Sequence, residues 1–250
     1  MELDGAVIVI TGGGSGIGAA LAERFVRERP AAIVLVDLQD EAAAQVATRL
    51  AADAPEGVDV WSRGCDVASE DDLAQLLADV EERHGLVDLF CANAGIGSAQ
   101  GLDASEATWD RVWQVNVMAH VRAARLLVPR WCERGSGHLL VTASAAGLLS
   151  NLGDAPYSVT KHGAVAFAEW VSITYGDQGV GVSCLCPQGV RTPLLFGPAG
   201  AGAPDELALV VVKAQRILEP EEVAEVTTQA LQRDEFLILP HAEVADYEQA

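Results

Sequence analysis

A chain of 250 residues, half of them hydrophobic, is long enough to bury one large α/β core, and no shift in composition marks a second domain. Its formal net charge of −20, from 36 acidic and 16 basic residues, excludes the basic footprint of a nucleic-acid or anionic-membrane binder. The start of the chain carries neither a basic leader nor an apolar stretch long enough for a signal peptide or membrane helix, so a cytoplasmic protein is expected.

In chain order, the unbroken apolar run at 6–10 (AVIVI) reads as a buried strand. It runs into TGGGSGIG at 11–18, five glycines in eight residues, before a helix expected over 17–29. Glycine loses more conformational freedom on folding than any other residue, so such a cluster belongs where the backbone turns sharply or approaches a ligand closely. A loop that follows a strand and opens a helix presents N–H groups and a helix dipole to an anion, which makes Gly12, Gly16 and Gly18 candidates for cradling a phosphate. No lysine follows the glycines, which excludes a P-loop. The second strand, 31–36, ends at Asp37, about twenty residues beyond the loop, where a carboxylate can accept hydrogen bonds from a ribose diol. A methyltransferase binding S-adenosylmethionine would want the same two features.

Further on, helical patterns at 41–52, 70–84, 108–134 and 155–175 alternate with strand-like runs at 58–63, 87–92, 138–142 and 181–186. A last strand is expected at 236–239. Repeated strand–helix units imply an α/β, Rossmann-type doubly wound parallel sheet with helices on both faces, in one domain over 1–250. A Pro- and Gly-rich apolar stretch beginning PLLFGPAGAGAPDELA at 193 is expected to start a substrate lid over 193–215. The five cysteines are scattered and odd in number, which fits reduced thiols, and none has His or Cys neighbours at the spacing of a metal site.

The chemistry sits in the second half. Ser144 closes the fifth strand, Tyr157 follows thirteen residues later, and Lys161, one of only two lysines, lies four residues beyond Tyr157. Helical i, i+4 spacing puts Tyr157 and Lys161 on one face, where an ammonium can stabilise a phenolate and lower a phenol pKa that is ordinarily about 10. A methyltransferase has no use for these three groups.

At this point the sequence resembles the short-chain dehydrogenase/reductase family over roughly residues 5–192. TGGGSGIG is similar to that family's T-G-x-x-x-G-x-G loop, CANAG at 91–95 to its N-A-G segment, and Ser144, Tyr157 and Lys161 to its catalytic trio. Asn116, in VNVMA, falls at the asparagine of the catalytic tetrad, and Asp66-Val67 resembles an adenine-contacting pair. The resemblance implies that NAD is held by Gly12, Ser15, Gly16, Ile17, Gly18, Asp37, Leu38, Asp66, Val67, Asn93, Ala94, Gly95, Tyr157, Lys161, Pro187, Gly189, Val190 and Thr192. It implies that Tyr157 exchanges the proton of a secondary alcohol while hydride passes to or from nicotinamide. Ser144 would then hydrogen-bond the reacting oxygen, Lys161 would depress the tyrosine pKa and hold the ribose, and Asn116 would support a water leading protons to solvent.

Asp37, with no basic neighbour in Leu38-Gln39, implies NAD rather than NADP. The candidate pocket residues Ala146, Leu148, Leu149, Leu194, Leu195 and Phe196 imply a neutral, hydrophobic substrate. A homodimer or homotetramer is expected through the helices at 108–134 and 155–175, with Val112, Val115, Val165, Phe167 and Val171 as its apolar face. A non-catalytic NAD-binding regulator is the remaining rival. Two features depart from the family pattern: Pro187-Gln188-Gly189 replaces a Pro-Gly turn, and LILPHAEVADYEQA lacks a glycine-rich finish.

Overall fold

A computed structural model describes residues 1–197 and 216–248, the side chains of 247 and 248 excepted. Seven parallel strands form one sheet in the order β3-β2-β1-β4-β5-β6-β7. They are β1 (Val7–Thr11), β2 (Ala32–Asp37), β3 (Asp59–Gly64), β4 (Leu89–Ala92), β5 (Gly137–Thr142), β6 (Val180–Leu185) and β7 (Leu237–Ile238). The order reverses between β1 and β4, and in open parallel sheets ligands bind in the crevice outside the carboxyl ends of the strands at that point.

Strands β1 and β4 are buried at every residue, which explains their missing polar alternation: helices cover both faces. On one face α1 (Gly16–Phe25), α2 (Asp40–Asp53) and α8 (Pro220–Gln232) bury Leu21, Phe25, Leu50, Val223 and Leu231. On the other, α3 (Glu70–His84), α5 (Ala119–Arg134) and α6 (Ala155–Tyr175) bury Leu76, Leu127, Trp131, Ala164 and Val171. Trp131 is fully enclosed and donates its indole N–H to the Val87 carbonyl at 2.7 Å. Gly137 makes room for that ring, since a β-carbon there would lie 2.1 Å from the indole.

The stretch expected as helix over 108–134 is helical throughout, but a π-helical turn interrupts its α-helical geometry. α4 (Glu106–Trp113), capped by the Ser105 hydroxyl, runs into a π-helical turn at Gln114–Met118 before α5 begins. The apolar periodicity continues across the break and hides it, but the extra residue in the turn aims Asn116 inward. α8 was not anticipated, although Glu219 and Glu222 form a capping box around Pro220 at its start. The expected helix over 17–29 ends at Phe25 and tightens into a short 3₁₀ turn at Val26–Glu28. Of the expected lid, residues 193–196 form the short helix α7 (Pro193–Phe196), and 198–215 lie outside the described residues. The last helix, α9 (Glu243–Glu248), completes the chain order.

No described helix is long and apolar enough to cross a membrane, and among the described residues no group of His, Cys, Asp and Glu is placed to hold a metal ion. Of the apolar residues expected on an oligomer face, Val112, Val115 and Val171 are instead buried in the chain's own core, and Val165 and Phe167 pack partly against it. The large exposed apolar residues of α4 and α6 are Trp113, Val159, Trp170 and Ile173.

Candidate active site

The glycine loop leaves β1 and folds against the segment that leaves β4. Gly12 has φ +66°, and a β-carbon on it would lie 3.1 Å from both Ala94 Cα and the Asn93 amide. At Gly18 a β-carbon would come within 2.2 Å of the Gly12 carbonyl, so nothing larger fits where α1 begins. Thr11 fastens the two segments together: its hydroxyl donates to the Cys91 carbonyl and accepts from the Asn93 and Ala94 amides at 2.9 and 3.0 Å. Asn93 returns a bond from its side-chain amide to the Thr11 carbonyl at 2.9 Å. Gly16 (φ +52°) closes the cradle on its far side, where a β-carbon would meet the Thr192 methyl at 3.0 Å. Ser15 and Ile17 flank it in the same loop.

Asp37 ends β2 beside this cradle. Its carboxylate accepts from the Gly14 amide and from the Gln39 amide, each at 3.0 Å, which leaves lone pairs on both oxygens for further donors. Leu38 is exposed next to it. Beyond β3, Asp66 accepts from the Ala68 amide at 2.9 Å and Val67 is buried. A loop that a β-carbon would fill, at a helix start, with a part-exposed carboxylate at the neighbouring strand end, fits a dinucleotide.

The catalytic candidates gather at the other side of the switch point. Ser144 follows β5, is buried, and accepts from the Ala146 amide at 3.1 Å. Lys161 on α6 is buried, and its ammonium donates to the Thr142 carbonyl at 2.9 Å and sits 5.5 Å from the Tyr157 ring centroid. Burial lowers its pKa to about 8. Asn116 is fully buried; its carbonyl accepts from the Ile96 amide and its amide donates to the Ile96 carbonyl, both at 2.9 Å, and also to Thr160 at 3.1 Å. The π-turn thus pins the loop that follows Asn93-Ala94-Gly95. A β-carbon on Gly95 would lie 3.2 Å from the Lys161 ammonium and 3.4 Å from the Asn116 carbonyl oxygen.

One electrostatic expectation is reversed in the protein alone. The Tyr157 phenol is held above its ordinary pKa, because burial disfavours the phenolate; a hydrogen bond with Ser144 pulls the other way, and the negative groups Asp154 and Cys186 add to the rise. Lys161 uses one of its three donors on the Thr142 carbonyl and does not offset that burial.

Past β6, the Pro187 carbonyl accepts from the Ala145 amide at 2.8 Å, while Gly189 and Val190 pair with Leu218. Thr192 bonds back to the Val190 carbonyl and begins α7. Gln188 donates its backbone N–H to His241 at 3.2 Å, and its side-chain oxygen is buried with no hydrogen-bond partner among the described residues. Arg191 is bound to Glu219 at 2.8 Å and lies over the Phe196 ring, so it is no free anion clamp.

Two buried groups escape a reading of the sequence. Asp154 starts α6 and gathers four donors. His120, one helical turn beyond Asn116, is 1% exposed with no hydrogen-bond partner on either ring nitrogen among the described residues, and burial lowers its pKa to about 3. The spacing from Asn116 was the one available signal for His120; Asp154 carried the signature of a helix cap.

Comparison with known proteins agrees with this geometry. The model of the short chain dehydrogenase family matches residues 6–196, and the chain belongs to that family. The chain is 33% identical over 250 residues, 97% of its length and 86% of the relative's, to a 1-deoxy-11-beta-hydroxypentalenate dehydrogenase of Streptomyces exfoliatus. A short chain dehydrogenase/reductase of Burkholderia phymatum in complex with NAD superimposes with a TM-score of 0.87 at 30% identity, covering 100% of this chain and 93% of that one. A short-chain dehydrogenase of Sphingobium yanoikuyae in complex with NADPH gives 0.83 at 25% identity, covering 98% and 91%. The chain is therefore an oxidoreductase of a family that uses a nicotinamide cofactor. The methyltransferase and regulator readings find no support in these relatives.

Proposed function

We propose that the protein is a cytoplasmic, NAD-dependent dehydrogenase that interconverts a secondary alcohol and a ketone on a neutral, largely hydrophobic small molecule. The observation that carries this reading is the convergence of Ser144, Tyr157 and Lys161 at the carboxyl ends of β5 and β6, across the switch point from a glycine cradle and Asp37. Bound NAD supplies the hydride acceptor, and its reduced form the donor.

In the oxidative direction the Tyr157 phenolate takes the hydroxyl proton, while the Ser144 hydroxyl holds the reacting oxygen. Reduction reverses the transfer, with the phenol as acid. Lys161 keeps a positive charge next to the tyrosine and would hold the cofactor's ribose, and Asn116 fixes the loop at Ile96. Thr192 and the Val190 backbone would hold the carboxamide end, with Pro187 and Gly189 in the same turn.

NAD is favoured because Asp37 offers lone pairs to a ribose diol and would repel a 2′-phosphate, with no cation at Leu38 or Gln39 to compensate. The half-buried Leu148, Leu149, Leu195 and Phe196 and the exposed Leu194 give the substrate side an apolar lining. The pentalenate relative's name specifies a hydroxylated substrate, which agrees with the alcohol, on a carboxylate rather than a neutral molecule. The chain works as one domain over 1–250 and as a homo-oligomer, paired through the face that exposes Trp113, Val159, Trp170 and Ile173.

A panel of neutral secondary alcohols offered with NAD, with formation of reduced cofactor as the readout, tests the reading. Turnover of one or more, lost in Tyr157→Phe, is expected. Retention of most activity in that variant would remove Tyr157 from the mechanism, and sedimentation as a lone 26.2 kDa species at micromolar concentration would remove the oligomer.

A further inference from the structure

The first residues after the N-A-G segment run between two buried side chains. At their start Ile96 is held, amide and carbonyl, by Asn116. At their end the carboxylate of Asp154, itself 6% exposed, accepts from the Ser98 and Ala99 amides through one oxygen, each at 2.8 Å. Its other oxygen accepts from the Ser98 hydroxyl at 2.6 Å and from the Tyr157 amide at 3.1 Å. The Ala155 amide adds a bond to the Gln100 carbonyl at 3.0 Å. Ala99 is held at φ +52°, a left-handed conformation that a residue with a side chain adopts only when its surroundings fix it.

All four partners of Asp154 are donors. An amide side chain could satisfy one pair and would set its own N–H groups against the other, so a carboxylate is the group this pocket fits. The loop it holds is a wall of the cleft: a β-carbon on Gly97 would lie 3.2 Å from the Asp154 carboxylate and 4.0 Å from the Leu194 methyl, opposite.

From this geometry we infer that Asp154 is a positioning residue for the reaction: one carboxylate ties the cleft wall at 96–100 to the first turn of the helix that carries Tyr157, so substrate fit and the placement of the acid/base group are set together. The inference rests on the reading of Tyr157 as that group. Asp154 touches neither the phenol nor a reacting atom in this role and works through its backbone partners. Its charge also contributes to the raised pKa of Tyr157, together with the burial of the ring and Cys186 and against the hydrogen bond with Ser144, with Lys161 on the same helix face.

The test compares wild type with Asp154→Asn and Ser98→Ala, the second removing one bond to the loop and leaving the carboxylate in place. Hydrogen exchange in the full-length protein should show the amides of 98 and 99 exchanging at least about tenfold faster in Asp154→Asn, with the sheet strands unchanged, and a smaller change of the same sign in Ser98→Ala. Spectrophotometric titration of tyrosinate, with Tyr157 assigned by its loss in a Tyr157→Phe background, should move down by several tenths of a pH unit in Asp154→Asn only. With an accepted alcohol, KM should rise more than kcat falls.

Unchanged loop exchange in both variants would overturn the inference, as would a rise spread evenly over the sheet. An active Tyr157→Phe protein would instead overturn the catalytic reading and leave the exchange result standing. Should Asp154→Asn fail to fold, Ser98→Ala decides: no local gain in exchange sinks the proposal.

Discussion

At the β1–β2 end of the cleft the chain presents backbone and one part-exposed carboxylate; at the β5–β6 end it presents buried, titratable side chains. Around the glycine loop, specificity is steric: β-carbons at Gly12, Gly16 and Gly18 would strike neighbours at 2.2–3.1 Å. Around Tyr157, burial raises the phenol and lowers the Lys161 ammonium to about 8. The first end is fixed by close contacts between its own loops. At the second, burial makes both charged forms costly, as the proposed acid/base role of Tyr157 requires.

The largest effect should follow from breaking the second end alone. Tyr157→Phe removes the proton carrier and leaves the cradle whole, so turnover should fall by about 10²–10⁴-fold, while affinity for reduced cofactor, measured by fluorescence titration, stays within a few-fold of wild type. A parallel loss of cofactor affinity would show that the two ends are not separable in this way.

Breaking the first end without touching the second is the task of Asp37→Ser with Leu38→Arg. Charged hydrogen bonds are each worth about 1.5–3 kcal/mol, so wild type should prefer NAD over NADP by about 3 kcal/mol, on the order of a hundredfold in kcat/KM. The double variant removes the repulsion and supplies a cation, and the ratio should swing towards NADP with one shared substrate. Equal use of both cofactors by wild type would mean that Asp37 does not meet the ribose.

A subtler break is steric. In Gly18→Ala the new methyl would lie 2.2 Å from a backbone carbonyl and 2.7 Å from the Asn93 amide, neither free to swing aside. The loop must shift, and overpacking of this kind typically costs about 1–3 kcal/mol. Thermal unfolding without cofactor should register that cost. An unchanged melting temperature would mean that the cradle is more plastic than its contacts imply.

The same contrast governs what could be read from the sequence. The glycine loop, Asp37 and the Ser144, Tyr157, Lys161 spacing stood out because the proposed phosphate approach and proton transfer demand particular residue types at particular separations. Six of the strands were legible from their apolar runs, and α6 from end to end. The π-turn at Gln114–Met118 was not, because its residues keep the apolar character of the helices on either side. Val112, Val115 and Val171 suggested an outward face and turned inward, since periodicity reports that a stripe is buried without saying against what. Asp154 and His120 look like ordinary polar residues in sequence, and only the packing of distant loops and helices around them makes them singular.

His120 allows the finest cut, because it lies beneath the catalytic end without taking part in its hydrogen bonds. Both ring nitrogens lack partners, and beside the ring is a void of about 10 Å³ lined by Thr11, Val67, Phe90 and Ala94. An unpaired buried polar group costs about 1–3 kcal/mol, and an apolar side chain of similar size removes that cost. His120→Leu should therefore raise the melting temperature at neutral pH by a few degrees, since about 1 kcal/mol corresponds to about 2–4 °C at this chain length. The gain should depend on pH with a definite sign. The folded pKa of about 3 lies below the ordinary 6.5, because burial and, secondarily, the Lys161 charge disfavour the imidazolium. Between those values the unfolded chain binds the proton that the folded chain refuses, so stability is lost as pH falls from about 6.5 towards 3. Leucine abolishes that loss, while His138, lowered to about 4 chiefly by its own burial, keeps part of the acid sensitivity in both proteins. Melting curves of wild type and His120→Leu should thus diverge further at pH of about 5 than at about 7. A constant gap, or a less stable variant at both, would mean that the imidazole has a hydrogen-bonding partner in solution and that the catalytic end is better satisfied than its described contacts indicate.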